Sequence, residues 1–268
     1  MFVCRILCIV FFSYSFVSCN SFEYSPNQAF DRNTPRDLNA ANLEKLLARA
    51  IDDTVIIAFV GDSQRFMDEL DRFVSHVNKN PNIDFVVLAG DISDFGLLAE
   101  YEWVYERLSR INAPYFGVIG NHDVIANGES VFTRMFGPPD YSFVYDSIKF
   151  VMHNTNGREY PLKEIPNLQW LEEQLGGDPK DGAKYYVGIS HVPPTDDDFK
   201  QDLVVPYAHM LSTTHGFLLS LHAHVHDHTD GYPFNDGIRY ITSFSFEQRS
   251  YLLLKIINGI VVKEIVNY

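Results

Sequence analysis

Cysteine is almost missing from this chain: of 268 residues only Cys4, Cys8 and Cys19 are cysteines, all at the very start. A cut before Cys19 leaves one thiol, which excludes an internal disulfide framework and a thiolate metal site. Basic side chains are scarce too. Lys and Arg total 21 against 35 Asp and Glu, a formal net charge of −14 with no Lys/Arg cluster, so nucleic acid is not an expected partner. An acidic protein can still handle a phosphate ester if metal cations supply the local positive charge. No internal repeat of solenoid length occurs. The leading apolar stretch, Ile6 to Val17, falls short of the roughly 20 residues a spanning helix needs.

What is present begins with a leader. Arg5 precedes that apolar stretch and Ser18 precedes Cys19, the layout of a secretory signal over residues 1–18. Phe16-Val17-Ser18-Cys19 resembles a bacterial lipoprotein signal, with Phe16 in place of the usual Leu. The resemblance implies an exported protein anchored in a membrane through a lipid on Cys19. Residues 19–37, with Pro26, Pro35 and many polar residues, read as a tether. Residues 38–268 read as one catalytic domain: the chain is 46% hydrophobic and 14% aromatic, a globular composition.

An opening helix is expected from Leu38 to Ile51, with Leu43, Leu46, Leu47 and Ala50 at helical spacing. Val55 to Val60 is then a continuous apolar run ending in Gly61-Asp62, as a strand buried on both faces requires. Phe66, Leu70, Phe73, Val74 and Val77 follow a helical period, and Phe85 to Ala89 ends in Gly90-Asp91. A second helical stripe over Leu97 to Leu108 leads to Tyr115–Ile119 and Gly120-Asn121-His122-Asp123. Asp62, Asp91 and Asn121 thus recur at the roughly 30-residue spacing of βαβ units. Later segments read as a hairpin around Asp146-Ser147, a short helix from Leu168 to Leu175, strands at Tyr185–Ile189 and Phe217–Leu221, and a C-terminal hairpin around Asn258-Gly259. Ala126–Tyr141, Asn156–Pro166 and Thr195–His215 read as loops, and Asp196-Asp197-Asp198 as a solvated stretch.

Five strands therefore end on potential metal ligands, where open α/β sheets collect their ligands. Oxygen donors from Asp62, Gln64, Asp91 and Asn121, with imidazoles from His191, His224 and His226, suit manganese, iron or zinc. Seven ligands exceed one tetrahedral ion and suit two divalent ions sharing a carboxylate.

In order and spacing, Gly61-Asp62-Ser63-Gln64, Gly90-Asp91-Ile92-Ser93-Asp94, Gly120-Asn121-His122-Asp123, Ser190-His191 and Ala223-His224-Val225-His226 resemble the five motifs of the calcineurin-like metallophosphoesterases. The resemblance implies an α/β four-layer sandwich of two mixed β-sheets flanked by helices, hydrolysing phosphomonoesters or phosphodiesters by in-line attack of a metal-bound hydroxide. It implies that Asp62, Gln64 and His226 hold one ion, that Asn121, His191 and His224 hold the other, and that Asp91 bridges. His122 matches the histidine that protonates the leaving group, and Asp94 the carboxylate that orients it. Gln64 stands where the family usually has His, a neutral and weaker donor. Ala223 stands where Gly is usual, which crowds a turn of positive φ. The register Leu221-His222-Ala223-His224, with His222 and His224 as ligands, stays open beside the preferred His224 and His226. A second reading is a catalytically impaired metal-binding surface lipoprotein, with Gln64 and Ala223 as its symptoms.

Overall fold

The computed structural model describes residues 29–50, 52–176 and 181–268; the leader, the proposed lipid site Cys19, most of the tether and Ile51 lie outside the described residues. Two sheets face each other. The first has the order β11-β10-β1-β2-β3, built from β1 (Val55–Val60), β2 (Phe85–Ala89), β3 (Tyr115–Val118), β10 (Ser250–Ile257) and β11 (Ile260–Asn267). The second has the order β4-β5-β6-β7-β9-β8, from β4 (Tyr141–Tyr145), β5 (Ile148–Met152), β6 (Tyr185–Ile189), β7 (Phe217–His222), β8 (Thr229–Gly231) and β9 (Arg239–Thr242). Both are mixed. The first three strands run parallel while β10 is antiparallel to β1; β5, β6, β7 and β9 run parallel between antiparallel β4 and β8.

Alternation along the strands sorts side chains into three apolar layers. Val55, Ile57 and Phe59 meet Phe150, Val187, Leu219 and Leu221 between the sheets. The opposite faces of β1 and β2, through Ala58, Val60, Val86 and Leu88, receive α2 (Met67–Val77), α3 (Leu98–Leu108) and α4 (Gly128–Met135). Val151, Tyr186, Phe217 and Tyr240 receive α5 (Leu168–Leu175) and α6 (Val204–Thr213). The result is the four-layer helix-sheet-sheet-helix sandwich expected from the motifs. Each fully buried Leu or Phe in these layers contributes roughly 1.5–3 kcal/mol.

The helical stripes behave as their spacing predicts: Leu70, Phe73, Val74 and Val77 are buried on α2, and Leu98, Tyr101, Val104 and Leu108 on α3. Both hairpin turns have successive positive φ, at Asp146 and Ser147 and at Asn258 and Gly259, which matches the twist of the strands they join. The first helix, α1 (Leu38–Leu47), stops before Ile51. Its Asn39 amide donates to the Gly117 carbonyl at 3.1 Å and accepts from the Gly117 N–H at 2.9 Å, occupying the free edge of β3 as another strand would.

Three expectations change. The stretches read as loops around 126–141 and 195–215 carry α4 and α6, whose buried Val131, Phe132 and Met135, and Tyr207, Ala208 and Leu211, have helical spacing. Pro206 sits in the first turn of α6, where its missing N–H breaks no helical bond. Strands β8 and β9, three and four residues long, are too short to announce themselves. The end of the stretch read as a tether is docked: Phe30 lies 4.2 Å beneath the Arg134 guanidinium and Thr34 Oγ1 donates to Glu102 at 3.0 Å. Among the described residues no helix is long and apolar enough to cross a membrane.

Candidate metal centre

Strand register assembles the site. Val60 pairs with Leu88 and Ala89 with Val118, so each strand of the β1-β2-β3 series releases its polar residue one position later than its neighbour. In the facing sheet Ile189 pairs with Leu221, which sets His191 level with Ala223, whose N–H it receives at 3.0 Å. The two sheets are stitched together at this edge. Ser243 Oγ donates to the Phe59 carbonyl at 3.2 Å, and His191 Nδ1 lies 2.7 Å from the Ala89 carbonyl.

The chain leaves its strands abruptly here. Asp62, Gln64, Asp91, His224 and His226 all have positive φ, a conformation that costs a non-glycine residue about 1–3 kcal/mol and collects at functional sites. Gly90 has φ +92°, and a Cβ there would lie 2.4 Å from the His191 ring, so the ring packs directly on backbone. Ala223 is not strained. The positive φ falls one residue later, on His224, and the Ala223 methyl fills the space opposite Gly61, where a Cβ would sit 2.3 Å away.

All seven residues singled out as ligands lie at this edge. His191 Nε2 is 3.0 Å from Asn121 Oδ1 and 3.3 Å from Asp91 Oδ1; His224 Nδ1 is 3.0 Å from the same Asn121 oxygen. His226 Nε2 stands 3.4 Å from Asp62 Oδ1. Gln64 donates its amide to Asp91 Oδ2 at 2.9 Å. That bond uses the amide nitrogen and leaves the Gln64 oxygen as its remaining donor atom. Burial alone raises the Asp91 carboxyl and lowers the His191 imidazole; their mutual attraction reverses both, holding Asp91 down and His191 up. The Asp62 carboxylate, 3.4 Å from Nε2, raises His226, whereas burial and then His191 lower His224.

The donor set fits a divalent ion. Asp62 is wholly buried, yet neither of its carboxylate oxygens accepts a hydrogen bond. A buried polar group without a hydrogen bond costs about 1–3 kcal/mol, more when charged; His226, 3.4 Å from Asp62 Oδ1, offsets part of that cost, and a cation would offset the rest. Asp62, Asp91 and His191 bring one ligand atom each within 4.8 Å of one another.

His122 sits beside this set, its backbone N–H donating to Asp91 Oδ1 at 3.0 Å. Its Nδ1 lies 2.8 Å from the Asp94 backbone carbonyl and 3.6 Å from the Asp94 carboxylate, which takes Arg65 at 2.8 Å. The carbonyl, more than the carboxylate expected for this task, therefore orients the ring and leaves Nε2 as the outward nitrogen. His222 is elsewhere: wholly buried on β7, it meets Ser190 Oγ and Ser220 Oγ, each at 2.9 Å, through its two ring nitrogens. With both nitrogens occupied, the His222 register brings no ligand to the centre.

Two features were invisible in sequence. Asp123 faces inward, accepting the N–H groups of Ile92, Ser93 and Gly120 and the hydroxyls of Ser93 and Tyr101 at 2.8–3.1 Å. Burial, then Asp91, push its carboxyl up to about 6. Asp196 and Asp198, expected in a solvated stretch, stand against His224. Only the proximity of their loop to the His191 motif hinted at this.

Comparison with known proteins agrees with this geometry. A family model described as calcineurin-like phosphoesterase matches residues 55–228. A probable glycerophosphodiester phosphodiesterase of Arcobacter nitrofigilis is 28% identical over 132 residues, 45% of this chain and 46% of that protein. A probable cyclic nucleotide phosphodiesterase of Moraxella catarrhalis is 23% identical over 196 residues, 66% of each. The matched regions thus span about half and about two thirds of these relatives. In fold, a dimetal phosphatase from Danio rerio superposes with a TM-score of 0.60 at 14% identity, covering 80% of this chain and 99% of that one.

Proposed function

Because the chain belongs to the calcineurin-like phosphoesterase family, we propose that it is a metal-dependent hydrolase of phosphate esters, working with two divalent ions on phosphodiesters in particular. The observation that carries the reading is Asp62: a buried carboxylate without a hydrogen bond, at an edge where every other ligand candidate is gathered. The preference for diesters is supported by the names of both curated relatives.

In this proposal Asp62, Gln64 and His226 would hold one ion, Asn121, His191 and His224 would hold the second, and Asp91 would serve both; manganese, iron and zinc suit these donors. Such ions supply Lewis acidity, lowering the pKa of a water and neutralising charge on the phosphoryl oxygens. The chain's own part is positional and protonic. His122, held through Nδ1 by the Asp94 carbonyl, presents a protonated Nε2 to the leaving-group oxygen. As a water attacks phosphorus in line and gives up a proton to solvent, the P–O bond to the leaving group breaks, and the His122 proton goes to the departing oxygen. Asp123 holds the two loops that carry Asp91 and Asn121 at fixed spacing.

The test is hydrolysis of a panel of aryl phosphate monoesters and diesters with added manganese. Activity in the parent that disappears in Asn121→Ala is the expected result. A parent that hydrolyses neither class, or equal rates in both proteins, would return the chain to the metal-binding lipoprotein reading. Export and a lipid on Cys19 are also proposed, and an unmodified Cys19 in mass spectrometry of the mature protein counts against them.

A further inference from the structure

The backbone carbonyl of Asp94 orients His122 at 2.8 Å, which leaves the Asp94 carboxylate to another partner. That partner is Arg65, whose Nη2 donates to Asp94 Oδ1 at 2.8 Å. Arg65 follows Gln64 directly in the chain. Its side chain is 63% exposed against 10% for Asp94, so a nearly buried carboxylate holds a guanidinium out at the rim of the centre. The bond uses one of five N–H donors, and the others have no partner among the described residues. An ion pair this open to water contributes little to stability. A planar guanidinium already fixed at one edge, however, loses less freedom when it binds a second oxyanion.

We propose that Arg65, held by Asp94, reads an oxyanion on the leaving group, so that the protein selects phosphodiesters whose departing half carries its own negative charge. The inference rests on the reading of His122 as the leaving-group proton donor. Asp94 Oδ1 lies 2.8 Å from Arg65 Nη2 and 3.6 Å from His122 Nδ1, so a single carboxylate oxygen separates the guanidinium from the proton donor. A substituent on a leaving group at His122 therefore comes within reach of Arg65, and guanidinium is the side chain suited to bidentate capture of carboxylate or phosphoryl oxygens. Apolar surface accompanies it. Phe95, next to Asp94, is exposed, as is Ile125, whose N–H donates to the His122 carbonyl at 3.3 Å; both can receive the carbon skeleton of the departing half. Arg158 provides a contrast. It is equally exposed and also bound to one oxygen of an aspartate, Asp198 Oδ1, but Asp198 stands beside His224 rather than beside the proton donor.

The experiment uses the Mn(II)-loaded protein and methyl aryl phosphates that differ only in the meta substituent of the ring: carboxylate, phosphonate or neutral carboxamide. The parent is expected to favour a charged ester over the carboxamide by about tenfold in kcat/KM, the low end for a hydrogen bond to a charged group because the rim is open to water. Arg65→Gln should erase that preference, chiefly through KM, and Arg65→Lys should keep part of it. Arg158→Gln, which removes the same charge elsewhere, should keep it whole. Calorimetric titration with the matching benzylphosphonate monomethyl esters, whose P–C bond is not hydrolysed, reads the same discrimination as binding. A parent that treats charged and neutral compounds alike, a preference that survives in Arg65→Gln, or an equal loss in Arg158→Gln overturns the inference. Discriminating binding without hydrolysis would sink the functional reading and leave Arg65 as a reader of anions; hydrolysis without discrimination would do the reverse.

Discussion

One group of buried polar side chains lies behind β6 and β7 and another at the strand ends of both sheets, and they differ in how completely they satisfy themselves. Behind the strands, His153 Nε2 meets Tyr207 Oη at 2.9 Å, Tyr207 meets Ser220 Oγ at 3.4 Å, Ser220 meets His222 and His222 meets Ser190, a closed chain in which every ring nitrogen and hydroxyl has a partner. At the strand ends, Asp62 has no hydrogen bond to either oxygen and a 3.4 Å ion contact with His226, and one Asn121 oxygen serves two imidazoles. Histidine content does not separate the two groups; saturation does. A network that closes on itself rigidifies the fold, whereas one left open is completed by something that binds.

The largest break in this comparison is expected at His122. His122→Ala should lower kcat on alkyl phosphate esters by a factor on the order of 10²–10⁴, the ordinary contribution of a positioned proton donor. The loss should shrink on 4-nitrophenyl esters, whose leaving group departs without a proton. An equal loss on both substrates would move His122 from proton transfer to binding.

The closed network should instead show in stability against pH. Burial holds His153 down to about 4, against roughly 6.5 in an unfolded chain. The unfolded state therefore takes up the proton first. Stability from this group is complete above pH 6.5, declines as pH falls from 6.5 towards 4, and is lost by an amount approaching about 3 kcal/mol. Urea denaturation across that range should give a slope that is shallower in His153→Gln. His222, lowered by burial in the same direction, adds to the parental slope.

Ions should stabilise one group and not the other. At a concentration 100-fold above the dissociation constant, Mn(II) binding raises parental stability by about 2.7 kcal/mol. In Asp62→Asn most of that gain should vanish, while metal-free stability stays near the parental value because charge is removed without a change of shape. Denaturation with and without EDTA checks both halves. An Asp62→Asn protein stabilised as much as the parent would dissociate Asp62 from metal binding.

How much of this contrast could be read from the sequence depends on what each element exposes to inspection. Parallel strands buried on both faces appear as unbroken apolar runs, so β1, β2 and β3 and the polar residues that end them were legible. The alternating tract from His222 to His228 was ambiguous because alternation predicts one shared face. In the structure the strand stops at His222, and positive φ at His224 and His226 breaks the alternation. His228 ends 2.7 Å from the Thr242 carbonyl, apart from the centre. Contacts between remote segments were not legible: Asn39 on Gly117, Phe30 under Arg134, and Asp196 and Asp198 behind His224 all pair residues that no local period connects. Gln64 and Ala223, flagged as departures, proved different in kind. The alanine is accommodated by Gly61, while the glutamine commits its amide nitrogen to Asp91.

Tyr207→Phe is the mildest and most discriminating test of the closed group. It removes one hydroxyl, leaving His153 Nε2 without its 2.9 Å partner and Ser220 with one neighbour fewer. The ring remains to pack against Phe199, whose centroid is 5.3 Å away. An orphaned buried acceptor costs about 1–3 kcal/mol, and the lower half of that range is expected here because no cavity larger than one oxygen opens. Mn(II) affinity and hydrolysis should stay within about twofold, since Tyr207 is linked to the strand-end group through Ser220, Ser190 and His222 rather than by touching a ligand candidate. A large loss of metal binding in this variant would show that the two groups act as one network, with saturation behind the strands setting the position of His191 in front of them.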